Sequence, residues 1–507
     1  MSRTERPERL SIRDEAGRER TLAAGKDAFA VSGQGTEPFF LGLGPDPAVA
    51  AACLPPGREA AYLECPAFAA AMPPPWQAAI PTQFQALAPE DLTPGRIARS
   101  RFYLYRQNLR LFPSFWGALW ARIQLALLPA PPARPDGAGP VLLVRTAGGL
   151  LEPELARGLT ALGRTVTALP AENTVTVLRE ILAREAPALF LCVNGAGLDA
   201  DGLCPALLAA AGVRLAVWFV DNPFHVLGRF RAPFWKKAHL FVTDDWFVPK
   251  LRELGADSVH HLPLAASRHF FTARPASDPA GQALFVGRSA FPGRDAFFAG
   301  CQPPKPLLET ARTMLAHGER PDFGWWAHQL GSPRLWPGKA VRRVGCGAEM
   351  AGLSWRSACL AALAETLPLA LYGDAGWREL LPAAQLHGPV EYYAGLAALY
   401  AGAAVTVNLT SLLLPHGLSQ RHFDVWAAGG MLLSDATPGL HLFPDALTRP
   451  MTFRHPGEIA DRARDLAGNA RLRAELTAGW RELIAGEHTY ERRLARLLDV
   501  VLGADHS

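Results

Sequence analysis

The sequence predicts an α/β protein in which buried parallel strands alternate with helices, and three observations carry that prediction. Between Leu369 and Asp435, short apolar runs repeatedly end in a glycine or polar turn and are followed by residues at helical spacing. The same order of strand, glycine turn and helix recurs from Val141 onward, and a smaller version of it begins at Phe39. A chain of 507 residues exceeds what one core organises, so the repeats read as separate domains.

The first unit, residues 1–128, opens with a strand at Phe39 to Leu43, the turn Gly44-Pro45, an alanine-rich helix, and a strand at Ala61 to Leu63 ending at Glu64. Its turn lacks the full glycine fingerprint of a dinucleotide site, which makes this an accessory α/β domain. Phe102 to Leu128 is rich in aromatic residues and reads as a helix pair broken at Pro113. That stripe predicts packing against the neighbouring domain, with a peripheral membrane contact as the other reading. Pro129 to Pro140, dense in proline and glycine, is a linker by composition.

The second unit, residues 141–275, starts with the strand Val141 to Val144, a turn at Gly148 and Gly149, and a helix at Leu155 to Leu162. Apolar runs at Leu189 to Val193, Leu215 to Val220 and His239 to Val242 add buried strands, and the helices between them make parallel crossovers the default. The third unit, residues 276–507, begins with Ala283 to Val286, followed by Gly287 and Arg288. Leu369 to Tyr372 stops at Gly373 and Asp374; a helix over Tyr392 to Ala401 leads to a strand from Val405 that ends at Asn408, Thr410 and Ser411. His422 to Ala428 is a helix closed by Gly429 and Gly430, and Met431 to Ser434 is a strand ending at Asp435. Ligands of open α/β sheets collect at the carboxyl ends of strands, so these turns define a candidate crevice.

The residue types in that crevice suit a nucleoside diphosphate leaving group. Its departure builds charge on the β-phosphate, which arginines or backbone N–H groups can meet. Arg421 is placed for that, and Asp424, one helical turn further, can grip ribose hydroxyls. Gly429 and Gly430 lack β-carbons, which allows main chain to approach a ligand or a strand to pack tightly on a helix.

The run from Gln420 to Asp435 resembles the acid-x-x-Ala-x-Gly signature of GT-B glycosyltransferases. Tyr490 in HTYERRL, the segment Trp218 to Pro223, the turn Thr243-Asp244-Asp245 and the stretch Gly255 to Ala265 are similar to motifs of the CgeB-like (spore-maturation-type) family, with a group-1-like C-terminal domain. The resemblance covers most of residues 141 to 500 and implies two Rossmann-like domains facing across a cleft, with the helix near Tyr490 to Leu502 crossing back to the first. It implies transfer of a hexosyl-type sugar from a nucleotide sugar to a protein or glycan, without a metal and with no cofactor beyond that substrate. It assigns ribose binding to Asp424, nucleotide contact to the main chain of Val390, and phosphate binding to Arg288, with Arg294 as a second candidate. The turn residues Gly373, Asp374 and Asn408 fall in the same donor site. His416 departs from the family pattern, because many relatives carry an acid eight positions before the one matched by Asp424.

The acceptor is expected against residues 141–275, where Asp221 and His225 are the candidate catalytic base, paired so that the carboxylate keeps the imidazole basic. The structural alternative for them is a loop cap before Pro223 and a core histidine. Asp199-Ala200-Asp201 has the form of a metal-binding Asp-x-Asp, but it lies in a glycine-rich loop and reads as a solvated turn. Two other classes remain open: a GT-B-like protein that binds nucleotide sugar or glycan without turnover, and a sugar-nucleotide epimerase. The net charge of +4, from 51 basic and 47 acidic residues, is too small to call for nucleic acid. The charged opening lacks a signal-peptide core, no apolar run approaches the roughly 20 residues of a membrane span, and the seven cysteines form no C-x-x-C pair. These features predict a cytoplasmic protein with reduced thiols.

Overall fold

The computed structural model describes residues 10–129, 139–331, 333–382 and 384–503. Most of the expected linker, residues 130–138, lies outside the described residues. A hairpin of β1 (Ser11–Arg13) and β2 (Glu19–Thr21) precedes a five-stranded sheet built from β3 (Phe29–Ser32), β4 (Glu37–Leu41), β5 (Ala60–Leu63), β6 (Phe84–Ala86) and β7 (Ser100–Tyr105). Its order is β3-β7-β4-β5-β6, parallel except at β3.

Two expectations for this unit need correction or gain a reason. Phe102 to Tyr105 is strand, not helix: β7 lies inside the sheet, with Phe102 and Leu104 buried on alternate positions. The expected helix pair does divide at Pro113: the short helix Asn108–Leu111 ends before it, and Pro113 starts the helix Pro113–Ala126, as the missing N–H costs nothing in a first turn. That helix packs on the helix Leu203–Ala210, where Gly117 brings the chains close, and buries Trp116, Leu119 and Ile123. At the carboxyl edge the turn after β4 is filled by protein. Glu64 accepts the amides of Leu43 at 2.8 Å and Cys65 at 2.9 Å, and Asn108 Nδ2 donates to Leu41 O at 2.7 Å. A Cβ on Gly42 would fall 2.4 Å from Asn108 Nδ2, so no phosphate fits there.

The second sheet comprises β8 (Val141–Arg145), β9 (Val166–Pro170), β10 (Leu189–Val193), β11 (Arg214–Phe219), β12 (His239–Val242) and β13 (Ser258–His261). All pairs are parallel, in the order β13-β12-β11-β10-β8-β9. The third sheet, β14 (Ala283–Val286), β15 (Leu369–Tyr372), β16 (Gln385–His387), β17 (Val405–Asn408), β18 (Leu432–Asp435) and β19 (Thr452–Phe453), is likewise parallel, in the order β16-β15-β14-β17-β18-β19. The winding reverses between β8 and β10 and again between β14 and β17, which opens a crevice at each carboxyl edge. The continuous apolar runs follow from burial on both faces: β8 and β10 are covered by helices and nearly inaccessible.

The carboxyl edges of these two sheets face each other. Asn222 Nδ2, after β11, donates to Leu413 O, after β17, at 2.9 Å, and the amide of His416 donates to Asp244 Oδ2, after β12, at 3.0 Å. The helix Tyr490–Leu502 crosses back and lays Tyr490, Leu494, Leu497 and Val501 against Val141, Leu143, Leu155 and Leu159 of the second sheet's layer. Arg493 fixes the crossing by donating to Pro263 O at 2.8 Å and Glu487 O at 3.1 Å. Two Rossmann-like layers across a cleft with this returning helix are the GT-B architecture. An unforeseen helical insert between β14 and β15 includes the helices Lys305–Ala316, Phe323–Leu330 and Lys339–Ala364. Among the described residues, no helix is long and apolar enough to cross a membrane.

Candidate active site

At the crevice of the second sheet lies a cavity of about 450 Å³. Its floor and walls come from the turn after β8 (Thr146, Gly149 to Glu152), the end of β10 (Val193, Asn194, Ala196), and Val220, Arg229 and Leu264. Tyr392 and Gln420, from the third sheet's side, close it. The turn after β8 is held by Glu152, which accepts Thr146 N at 2.9 Å and Thr146 Oγ1 at 2.6 Å. Asn194 sits at φ 51°, a left-handed conformation that asparagine tolerates, and this aims its side chain at the next strand's loop. Its Oδ1 accepts the amides of Val220 and Asp221, and its Nδ2 donates to Asp221 Oδ2 at 2.8 Å. Asp221 is exposed as a residue, yet the protein around its carboxyl raises its pKa, with the Asn194 bond pulling the other way.

His225 does not join it. The expected Asp221–His225 pair is absent, because His225 turns into an aromatic nest of Phe297, Phe298 and Phe323, with ring centroids 5.2, 6.1 and 5.8 Å away. A Cβ on Gly345 would fall 2.2 Å from His225 Nε2, so the long insert helix presses on the ring. Burial pushes the imidazole down to about 4, which leaves it neutral near pH 7. A different histidine–aspartate pair spans the cleft: His416 Nδ1 lies 2.8 Å from Asp245 Oδ1. The hydrogen bond to Asp245 raises the His416 pKa, and burial pushes Asp244 up to about 7. Ligand atoms of Asp244, Asp245 and His416 lie within 4.8 Å of one another, the one grouping among the described residues that combines metal-ligand types in this way.

Asp424 is buried where the two connections between the sheets cross. Its Oδ2 accepts Tyr392 Oη at 2.7 Å, and its Oδ1 accepts Gln420 Nε2 at 3.0 Å and the amide of Ser267 at 3.3 Å. Ser267 Oγ donates onward to Glu154, and Tyr490 Oη to Gln420 Oε1. The neighbouring bridge between Ala266 and Thr489 joins both connections. Burial pushes Asp424 up to about 8, opposed by its hydrogen bonds. Both carboxylate oxygens are therefore spent on protein donors, and Tyr392 and Gln420 stand between Asp424 and the cavity.

The other predicted residues separate into three groups. Arg288 is exposed at the carboxyl end of β14, and Val390 is half-buried beyond β16. Arg421, Asn408, Gly373 and Asp374 build the turns beneath: Arg421 donates to Asn408 Oδ1 at 3.1 Å and to Val286 O, and stacks 5.5 Å from the Phe285 ring. Asn408 is fully buried and bonds Thr410, Ser419 and Ser434, while Asp374 accepts from Ser289 and Gly376. Gly373 lets the turns after β14 and β15 touch, as a Cβ there would lie 2.4 Å from Gly287 O. Gly429 and Gly430 are displaced from the site. They end the helix Arg421–Ala427 at the amino edge of the sheet, with Gly430 N bonded to Val425 O and a would-be Cβ 2.2 Å from Tyr400 O. Of the packing and ligand readings, only packing is available to them.

Three smaller expectations also change. Arg294 pairs with its neighbour Asp295. Asp199 caps the helix Leu203–Ala210 by accepting the amides of Leu203 and Cys204, and Asp201 pairs with Arg231, so the Asp-x-Asp is engaged rather than solvated. The helix expected from Tyr392 begins at Leu396, after a turn in which Glu391 O accepts the amides of Ala394 and Gly395; that turn presents both tyrosines to the other domain. Asn194, Tyr392 and Gln420 were not singled out from sequence, although Asn194 directly follows an apolar run and falls under the strand-end rule that selected Asn408.

Comparison with known proteins adds a match over part of the chain. Residues 356–499 match the Glycosyl transferase-like family. The matched segment begins within the long insert helix and runs through β15 to β19 and into the helix Tyr490–Leu502. Among solved structures the chain is similar to T4 phage β-glucosyltransferase, at 10% identity over 71% of this chain and 98% of that one, with a TM-score of 0.38. It is similar to Anabaena HepE in complex with UDP-glucose, at 9% identity over 71% and 99% of the two chains, TM-score 0.42. It is also similar to the Thermobaculum terrenum O-GlcNAc transferase, at 13% identity over 76% and 75%, TM-score 0.38. No curated protein sequence matches the chain.

Proposed function

We propose that the protein is a glycosyltransferase of the CgeB-like branch that moves a hexosyl-type sugar from a nucleotide sugar to a hydroxyl acceptor, in the cytoplasm and without a metal. The observation that carries the reading is the family match over residues 356–499, which spans β15 to β19 and includes Tyr392 and Gln420, the two residues that close the cavity from the third sheet's side. The motif Trp218 to Pro223 and Tyr490 support the branch.

In this reading the acceptor enters from the second sheet and the donor lies along the third. Asp221, its affinity for a proton raised by its surroundings, accepts the hydroxyl proton. The acceptor oxygen then bonds to the anomeric carbon as that carbon's bond to the diphosphate oxygen breaks, and the electron pair leaves on the β-phosphate. Arg288, exposed at the end of β14, meets that charge, and Arg421 braces the turns around it. The main chain at Val390 borders the base. Asp424 acts as a positioning residue: it holds Tyr392 and Gln420 in the cavity wall instead of gripping ribose itself.

A panel of nucleotide sugars beginning with UDP-glucose tests this by thermal stabilisation, followed by nucleotide release with and without acceptor. Asp221→Asn should retain donor stabilisation and lose roughly 10²- to 10⁴-fold in acceptor-dependent turnover. Nucleotide release that ignores acceptor would point to the epimerase class, and donor binding without any turnover to the binding-protein class.

A further inference from the structure

The cavity's wall chemistry says what kind of acceptor it takes. Leu150, Leu151, Val193, Ala196, Val220 and Leu264 supply aliphatic surface, and Tyr392 offers its ring because its hydroxyl is spent on Asp424. The polar lining residues are turned toward protein partners. Thr146 and Glu152 bond each other, Asn194 is engaged through both side-chain atoms with the loop after β11, and Gln420 bonds Ala265 O, Asp424 and Tyr490. Arg229 donates to Asn194 O. Beyond Arg229, which spends one N–H on Asn194 O, a sugar or peptide body placed here would find few partners, and each hydroxyl or amide left unmet costs about 1–3 kcal/mol. An alkyl or aryl body meets no such cost.

The apolar character continues outward. Leu150 is 55% and Tyr393 44% exposed, an unusual pair of large apolar side chains at the surface, and Tyr393 Oη donates to Leu150 O across the cleft. Their place beside the cavity makes them its rim. Asp221 does not line the cavity itself; it is exposed and accepts from Asn194, which does line it.

Resting on the transferase reading, we propose that the acceptor is a hydroxyl carried on a compact apolar body, aryl or alkyl, seated in this cavity with its oxygen toward Asp221. A volume of about 450 Å³ lies within the range of small-molecule sites.

The probe is 2-naphthol, titrated by its fluorescence against the full chain without donor, with methyl glucoside as competitor. Saturable binding is expected, at least tenfold weaker in Ala196→Trp, which fills the cavity, and in Leu150→Asp, which charges its rim. UDP-glucose stabilisation, measured separately, reports the donor side and confirms that each variant is folded. Absence of saturable naphthol binding, binding indifferent to the folded variants, or displacement by methyl glucoside would overturn the proposal. Naphthol binding with no response to any nucleotide sugar would instead refute the transferase reading and leave the cavity assignment standing.

Discussion

Asp424→Asn separates the charge of this buried carboxyl from its shape. The group sits at about 8 in the folded protein against an ordinary 3.8, so folding holds a proton that the unfolded chain has released at neutral pH. A raised carboxyl pKa gives stability that is fully present below 3.8 and is lost as the pH rises toward 8. Each pH unit inside that window costs about 1.4 kcal/mol, so the wild type should lose on the order of 2.7 kcal/mol between pH 5 and 7 from this residue. Asparagine keeps the carbonyl that accepts from Ser267 and Gln420 and has no proton to release, so its own offset is the same at each pH. The assay is urea unfolding of both proteins at pH 5, 6 and 7, with the wild-type-minus-variant difference plotted against pH. Because the difference cancels other titrating groups, such as Glu64 and Asp244, its slope belongs to Asp424. A difference constant to within about 1 kcal/mol, or one of opposite sign, would refute the buried, protonated carboxyl.

Other outcomes follow from the same geometry. Tyr392→Phe removes the donor to Asp424 Oδ2, leaves a buried oxygen unsatisfied and should cost about 1–3 kcal/mol of stability without tightening UDP-glucose binding; a tighter donor would mean that ribose takes the vacated oxygen. Gly430→Ala drives a Cβ against Tyr400 O and should destabilise by about 1–3 kcal/mol, while the folded fraction binds donor as before in calorimetry. Chelation should leave turnover intact. If activity falls with EDTA and returns with manganese, Asp244, Asp245 and His416 become the residues to replace.

The fold was legible where strands are buried on both faces. β10, β14 and β15 are continuous apolar runs bounded by glycine, proline or polar turn residues, so local pattern alone marks their limits. The insert helix Lys339–Ala364 was not, since its glycines and mixed charges acquire a helical face only against Trp326 and its neighbours. The site divided the same way. Asp424 was visible as an acid on a helix at a strand end, but its partners Ser267 and Tyr392, and Tyr490 behind its partner Gln420, come from distant segments, and they change what it can touch. The displacement of Gly429 and Gly430 was available in principle: a turn that leaves a helix and enters a parallel strand belongs to the amino edge. His225 was lost to three phenylalanines that no spacing rule connects to it.

The returning helix Tyr490–Leu502 also governs how the molecule comes into being. It covers apolar surface of a sheet whose strands emerge from the ribosome long before it does. Until it arrives, Val141, Leu143, Leu155 and Leu159 have no lid, and the second sheet waits as a partly open layer. Synthesis therefore completes the earlier half only through the later one. Cut between β13 and β14, neither piece would be a finished folding unit, and a nascent chain stalled before Tyr490 would present a sticky face to chaperones.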